Sequence, residues 1–296
     1  MVRPSRRSLA VLALLTSVVV ACSGGAGKGA ATPTTDRPAA ERTWPASRFV
    51  PADATYALLV RRVSDGALGL RELAAAAGVV VGAGLTEVQR ALRSEIGVDL
   101  TSSDELARIG VDPDGGIALF AQGISPTLVL PVSDAAMLQR FIDRRREGVA
   151  ATVSPRGGFE VASVRADDDV SLEWALVDRF VLVHMAIGPE PELAWFDAAL
   201  AATRGDTIVT TPDFAAALAA TGPYLPAAEG AAGGPDVVGL IRLDETLRPW
   251  LALVPPEAVA CLGVASVFDH RLFLAAEVDG QHGDAVVVAP LAAAAA

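Results

Sequence analysis

Three histidines, two cysteines and a surplus of carboxylates are what this chain of 296 residues offers for chemistry. His184 lies in the apolar run Phe180–Met185 and would share a strand face with Phe180 and Leu182, so it reads as a buried structural histidine. His270 follows Asp269 in a short connection between apolar runs and reads as solvated. Asp279, His282 and Asp284 bring two carboxylates and an imidazole into one segment, read as a flexible turn. They are the nearest approach to a metal-ligand set. Three loosely placed ligands fall short of a closed coordination shell, so neither metal nor cofactor is assigned.

Asp167-Asp168-Asp169 and Asp112-Pro-Asp114-Gly gather acids without the oxygen spacing of a calcium loop. They read as a hairpin tip and a turn. Cys261, between apolar neighbours, reads as an inert core thiol. There is no Gly-x-Ser-x-Gly elbow. Serine, histidine and carboxylate are not expected to converge in one pocket, and the domain reads as non-catalytic. A reading of a different class is an envelope hydrolase using a carboxylate pair about 5–10 Å apart, for which 35 acidic residues supply candidates.

Two residue types exclude more than the histidines promise. Lys28 is the only lysine and asparagine is absent. A folded part without lysine has no Schiff-base chemistry, no phosphate-binding P-loop, no kinase ion pair and no Ser–Lys dyad. Without asparagine there is no N-glycosylation acceptor. The net charge is −11, and without residues 1–21 the chain carries 21 basic against 35 acidic residues, or −14. Such a field repels phosphate backbones, so no nucleic-acid partner is expected.

The N-terminus is more specific. Met1–Arg7 is positively charged, Ser8–Val20 is uncharged and mostly apolar, and Val19-Val20-Ala21-Cys22 closes the run. The run is shorter than the ~20 residues of a transmembrane helix and suits a signal-peptide core. Val19–Cys22 resembles the lipobox of bacterial lipoprotein precursors. That resemblance implies a diacylglyceryl thioether on Cys22, cleavage between Ala21 and Cys22, and a new amine open to acylation, for example by palmitate. It places the chain in the cell envelope, anchored to a lipid bilayer through Cys22, facing the periplasm or cell surface. Ser23 gives no inner-membrane retention signal, which favours the outer membrane. With Cys22 acylated, Cys261 has no disulfide partner.

Residues 22–45, rich in Ala, Gly, Pro and Thr, form a flexible tether. Its typical reach is about 25–30 Å. The domain therefore works close to one membrane, with a protein of the envelope as its expected partner. If it were a structural component of a larger complex, its sheet would expose a large apolar patch.

Residues 46–296 read as one α+β domain, a mainly antiparallel sheet with helices packed on it. Strands are expected at Thr55–Val63, Gly116–Phe120, Thr127–Val132, Phe159–Arg165, Ser171–Val177, Phe180–Met185, Val237–Leu243, Val259–Phe268 and Leu272–Val278. Leu172, Trp174 and Leu176 share one face of theirs. Asp178-Arg179 and Asp269-His270 are tight turns. Thr86 with Gln89 and Ser102 with Glu105 fit capping boxes, and Thr211-Pro212 opens a helix. Ser133 is expected to cap a helix with the stripe Met137, Leu138, Phe141 and Ile142, closed by Arg144-Arg145-Arg146 where the helix dipole favours cations.

Two stretches, Thr55–Val132 and Val237–Val278, both read strand–helix–hairpin, which suggests an internal repeat. This layout resembles a broad group of bacterial envelope proteins whose modules open with a Pro-Ala-Asp-Ala-type start, here Pro51-Ala52-Asp53-Ala54. The resemblance implies no catalytic residues. The terminal Pro290-Leu291 and five alanines suggest a shortened reading frame.

Overall fold

The computed structural model describes residues 43–63, 98, 102–123, 125–145, 149–167, 170–188, 193–221, 225, 235–242, 271–279 and 282–288. Ten strands form one sheet: β1 Tyr56–Val60, β2 Ile117–Gln122, β3 Ser125–Pro131, β4 Thr152–Arg156, β5 Phe159–Asp167, β6 Val170–Val177, β7 Phe180–Ile187, β8 Val237–Arg242, β9 Arg271–Asp279 and β10 His282–Val288. Their order is β10-β9-β8-β1-β2-β3-β7-β6-β5-β4, and each neighbouring pair is antiparallel. The helices are α1 Ser103–Arg108, α2 Ala135–Arg145, α3 Ala194–Ala202 and α4 Pro212–Thr221, preceded by a 3-10 turn at Pro45–Phe49. The expected α+β class, mainly antiparallel with helices on the sheet, is what the chain adopts.

Both faces of the sheet are apolar, because alternate residues of each central strand enter two separate cores. Ala57 and Leu59 of β1, Phe120 of β2 and Leu182 of β7 bury against the 3-10 turn, α3 and α4. Leu58 and Val60, Leu119 of β2 and Val181 of β7 face the other way, towards Leu106 of α1 and Leu138 of α2. Continuous apolar runs such as Tyr56-Ala-Leu-Leu-Val60 are what a strand covered on both sides requires.

Six of the described strands fall into two groups of three. β1-β2-β3 and β8-β9-β10 are two meanders whose first strands pair antiparallel. In the second meander the hairpin among the described residues is β9–β10. Residues 259–268, the turn at Asp269-His270 and the capping pair Thr86/Gln89 lie outside the described residues. Strands β4 and β10 and helix α3 were not anticipated.

Local signals explain the ends. Ser102 accepts a hydrogen bond from the Glu105 amide at 3.3 Å, and Thr211 one from the Phe214 amide at 3.2 Å, as N-caps do. At α2 the capping side chain is Asp134, which accepts from the Met137 amide at 2.8 Å, and not Ser133. Asp112 accepts from the Asp114 amide at 3.1 Å, forming the expected turn. The Pro51–Ala54 start turns tightly, the Ala54 amide donating to the Pro51 carbonyl. Arg242 of β8 donates to the carbonyls of Ala54 at 2.6 Å and Ala52 at 3.1 Å, which ties this start to the second meander.

The β4–β5 hairpin turns on Gly157 and Gly158, with φ of 61° and 88°, the pair of left-handed residues a two-residue turn needs. A Cβ on Gly157 would also sit 2.5 Å from Leu200 Cδ1 of α3. Gly157→Ala is therefore expected to destabilise the domain by about 1–2 kcal/mol, read as a lower urea midpoint at unchanged slope. An unshifted midpoint would contradict this placement of the turn against α3.

Candidate functional site

Two regions gather the chemistry-bearing side chains: a buried polar row on the α3 face of the sheet, and a groove on the α2 face.

Register builds the row. His184 of β7 is paired with Thr127 of β3 on one side and Glu173 of β6 on the other, so the three lie side by side across three strands. The Thr127 hydroxyl and His184 Nδ1 are 2.9 Å apart. Trp195 of α3 stacks on the imidazole, with centroids 4.7 Å apart and planes 8° from parallel, and its indole N–H donates to Glu173 Oε2. His184 is thus the buried histidine its apolar run indicated, 2% exposed.

The meeting of a hydroxyl, an imidazole and a carboxylate was not expected. The sequence offered no sign of it, because the three positions are joined only by strand register. Its chemistry is limited by access. Thr127 and His184 are 1% and 2% exposed and Trp195 lies flat over the ring, so a substrate has no approach to the hydroxyl. What the row does is satisfy buried polar groups and hold α3 to the sheet. Thr127→Val removes the hydroxyl partner of His184 Nδ1 and is expected to cost about 1–3 kcal/mol in chemical denaturation. No loss of stability would contradict the role assigned to this bond.

On the opposite face, α2 stands off the outer strands and leaves a groove of about 500 Å³. Leu138 and Ile142 of α2 form one wall; Val153 of β4, Ala162 of β5, and Trp174 and Leu176 of β6 form the floor. The alternation Leu172-Trp174-Leu176 is present as expected, but only Trp174 is buried. Leu172 and Leu176 are 41% and 42% exposed, and Val153 is 52% exposed. These residues continue the core past the edge of the helix that covers it. Among the described lining residues only Glu160 carries a carboxyl, so they hold no carboxylate pair.

The edge beside the groove is blunted. Pro155 lies in β4, at the end of the strand order, and is paired with Glu160. Proline offers no N–H to an incoming strand. Arg156 of β4 clamps α3 through Asp197, its Nε 2.8 Å from Oδ1. This hydrogen bond, reinforced by the guanidinium charge against some desolvation, holds the Asp197 carboxyl below its ordinary value.

The weak metal set changes character. Asp279 ends β9 and His282 begins β10, as directly paired residues, and Asp284 is paired with Glu277. The segment is a hairpin of the sheet and not a flexible turn; the side chains of these residues lie outside the described part. Ala21, Cys22, Cys261 and His270 also lie outside the described residues. Asp167 pairs with Val170 across the β5–β6 hairpin, the tip position expected for the acid triplet. No helix among the described residues is long and apolar enough to cross a membrane.

No family model and no curated protein matches the sequence. A solved structure, crystal form I of TP0453, is similar at a TM-score of 0.36 and 11% identity, over 78% of this chain and 72% of that one. At that TM-score nothing is carried from one protein to the other.

Proposed function

We propose that the protein is a lipoprotein of the bacterial cell envelope, held at a membrane through Cys22, whose domain binds a partner or ligand and does not transform it. The observation that carries this reading is the order of charge, apolar run, small residue and cysteine from Met1 to Cys22. Each buried methylene of an acyl chain contributes about 0.8 kcal/mol, and two or more chains make attachment stable. That outweighs the repulsion between an acidic domain and anionic headgroups.

Support for binding comes from the α2 groove, a concavity that includes the exposed Val153 and Leu176 in its lining, as binding surfaces commonly do. The hydrolase reading needs two carboxyls in a cleft, and the groove supplies Glu160 alone among its described lining residues. The buried Thr127–His184–Glu173 row does not favour it either, for want of access. Outer-membrane delivery follows from Ser23 at the position after the cysteine.

Feeding cells labelled palmitate tests the anchor. The wild-type chain is expected to take up label and sediment with membranes, and Cys22→Ser to take up none. Label that survives Cys22→Ser would sink the proposal.

A further inference from the structure

We propose that β10 pairs antiparallel with β10 of a second copy of this chain, joining two sheets into one across a two-fold axis. The pairing uses the end of the sheet away from the α2 groove and does not depend on the Cys22 anchor.

Strand register carries the inference. About the β1–β8 junction the pairings have two-fold symmetry: Ala57 is paired with Leu240 as Val238 is with Leu59. Followed outward, the row Ala57–Phe120–Thr127 across β1, β2 and β3 corresponds to Val238–Ala275–Val286 across β8, β9 and β10. The row Leu59–Ala118–Val129 corresponds in the same way to Leu240–Phe273–Val288. The symmetry keeps the faces. Ala57, Leu59, Ala118 and Val129 share one core with Val238, Leu240 and Phe273, and Val288 packs against it.

The two halves differ beyond their outer strands. β3 is followed by β7, which sets His184 beside Thr127 and Leu182 beside Val129. β10 ends the strand order and has no strand on its outer side among the described residues. Burial follows the difference: Thr127 and Val129 are 1% and 0% exposed, whereas Val286 and Val288 are only half-buried. A strand laid antiparallel along β10 would cover these two as β7 covers their counterparts. It would also pair the outward N–H and C=O groups of the edge.

Geometry selects the occupant. A two-fold axis normal to the sheet, like the one between β1 and β8, makes two identical edges antiparallel, which is how β7 lies on β3. A second β10 therefore fits without adaptation. Its run Ala-Val-Val-Val at 285–288 has the β-branched residues that strands favour and no proline. At the far end of the sheet, Pro155 of β4 offers no N–H to a partner. Assembly therefore closes as a dimer and does not grow edge to edge. A net charge of −11 opposes self-association, so the dimer is expected to tighten as salt is raised.

Single cysteines placed in the full chain test the pairing by mild oxidation, read on a non-reducing gel. Antiparallel partners beside the axis have Cα atoms about 4.5–5.5 Å apart, within disulfide range. At least one of Ala285→Cys, Val286→Cys and Val287→Cys is therefore expected to form a linked dimer. Val153→Cys, on β4, and the unsubstituted chain are expected to form none. In amide hydrogen exchange, the peptide spanning His282–Val288 should lose protection on dilution from about 100 µM to about 1 µM, while β3 and β7 peptides stay unchanged. Val286→Lys sets like charges near the axis and is expected to weaken the dimer about tenfold at an unchanged monomer unfolding temperature.

Crosslinking at β10 no greater than at Val153→Cys would overturn the proposal. So would His282–Val288 amides that stay protected at every dilution, which would mean that the edge is covered within one chain. A disulfide through an unacylated Cys22 would appear in the unsubstituted chain as well, so a missing anchor and a missing dimer give different results.

Discussion

Trp195→Ala is expected to destabilise the domain by about 3–5 kcal/mol, a fall of roughly 10 °C or more in the unfolding temperature. Trp195 is 6% exposed, stacks on His184, packs edge-on against Phe196 at 5.3 Å and supplies the indole hydrogen bond to Glu173. Its loss opens a cavity over the sheet and strips a carboxylate of its donor at once. Trp195→Phe separates the two effects. It keeps most of the apolar volume and loses only the N–H, so it is expected to cost about 1–3 kcal/mol. A Phe variant as damaged as the Ala variant would mean that the hydrogen bond, and not packing, dominates; an undamaged Ala variant would contradict the docking of α3.

Asp213→Asn is expected to cost about 1–3 kcal/mol near neutral pH, through two guanidinium groups left without their anion. Asp213, next to the N-terminal Pro212 of α4, receives Arg242 of β8 at 2.9 Å and Arg271 of β9 at 2.7 Å. These bonds fasten the helix over the second meander, and through Arg242 to the Ala52 and Ala54 carbonyls. Burial acts to raise the Asp213 carboxyl, but the hydrogen bonds and charges of the two arginines outweigh it and hold the group below its ordinary value.

A depressed carboxyl contributes stability above its unfolded value, and that contribution is lost as pH falls through the folded value. As pH falls through and below the ordinary carboxylate range, about pH 4, the wild type should therefore lose more stability than Asp213→Asn, and the two curves should converge in acid. Curves that stay parallel would contradict the linkage.

How far the sequence could be read depended on how local each cause was. The strands β1, β2, β3, β5, β6, β7, β8 and β9 announced themselves through runs of Val, Leu and Phe, and the caps at Ser102 and Thr211 through Glu105 three positions on and the adjacent Pro212. β4, Thr-Val-Ser-Pro-Arg, was hidden by Pro155, since proline signals a break unless the strand is known to lie at an edge. β10 was hidden by its glycine-rich approach, Gly280-Gln281-His282-Gly283, which reads as a turn. α3 lacks a capping side chain; the residue before it, Leu193, has φ of 55°, and nothing in Glu-Leu-Ala-Trp marks that start.

The sites were less legible for the same reason. Thr127, Glu173 and His184 meet only because β3, β7 and β6 are neighbours in a defined register. A one-residue slip would send one of them to the other face. The groove depends on how far α2 covers the sheet. The alternation Leu172-Trp174-Leu176 predicts a shared face but not where the covering helix stops.

Mass spectrometry of the intact chain extracted from membranes tests the central claim most directly. The account predicts a polypeptide beginning at Cys22 with a diacylglyceryl group on its sulfur. A free thiol at Cys22, or a mature chain that starts anywhere else, would contradict it.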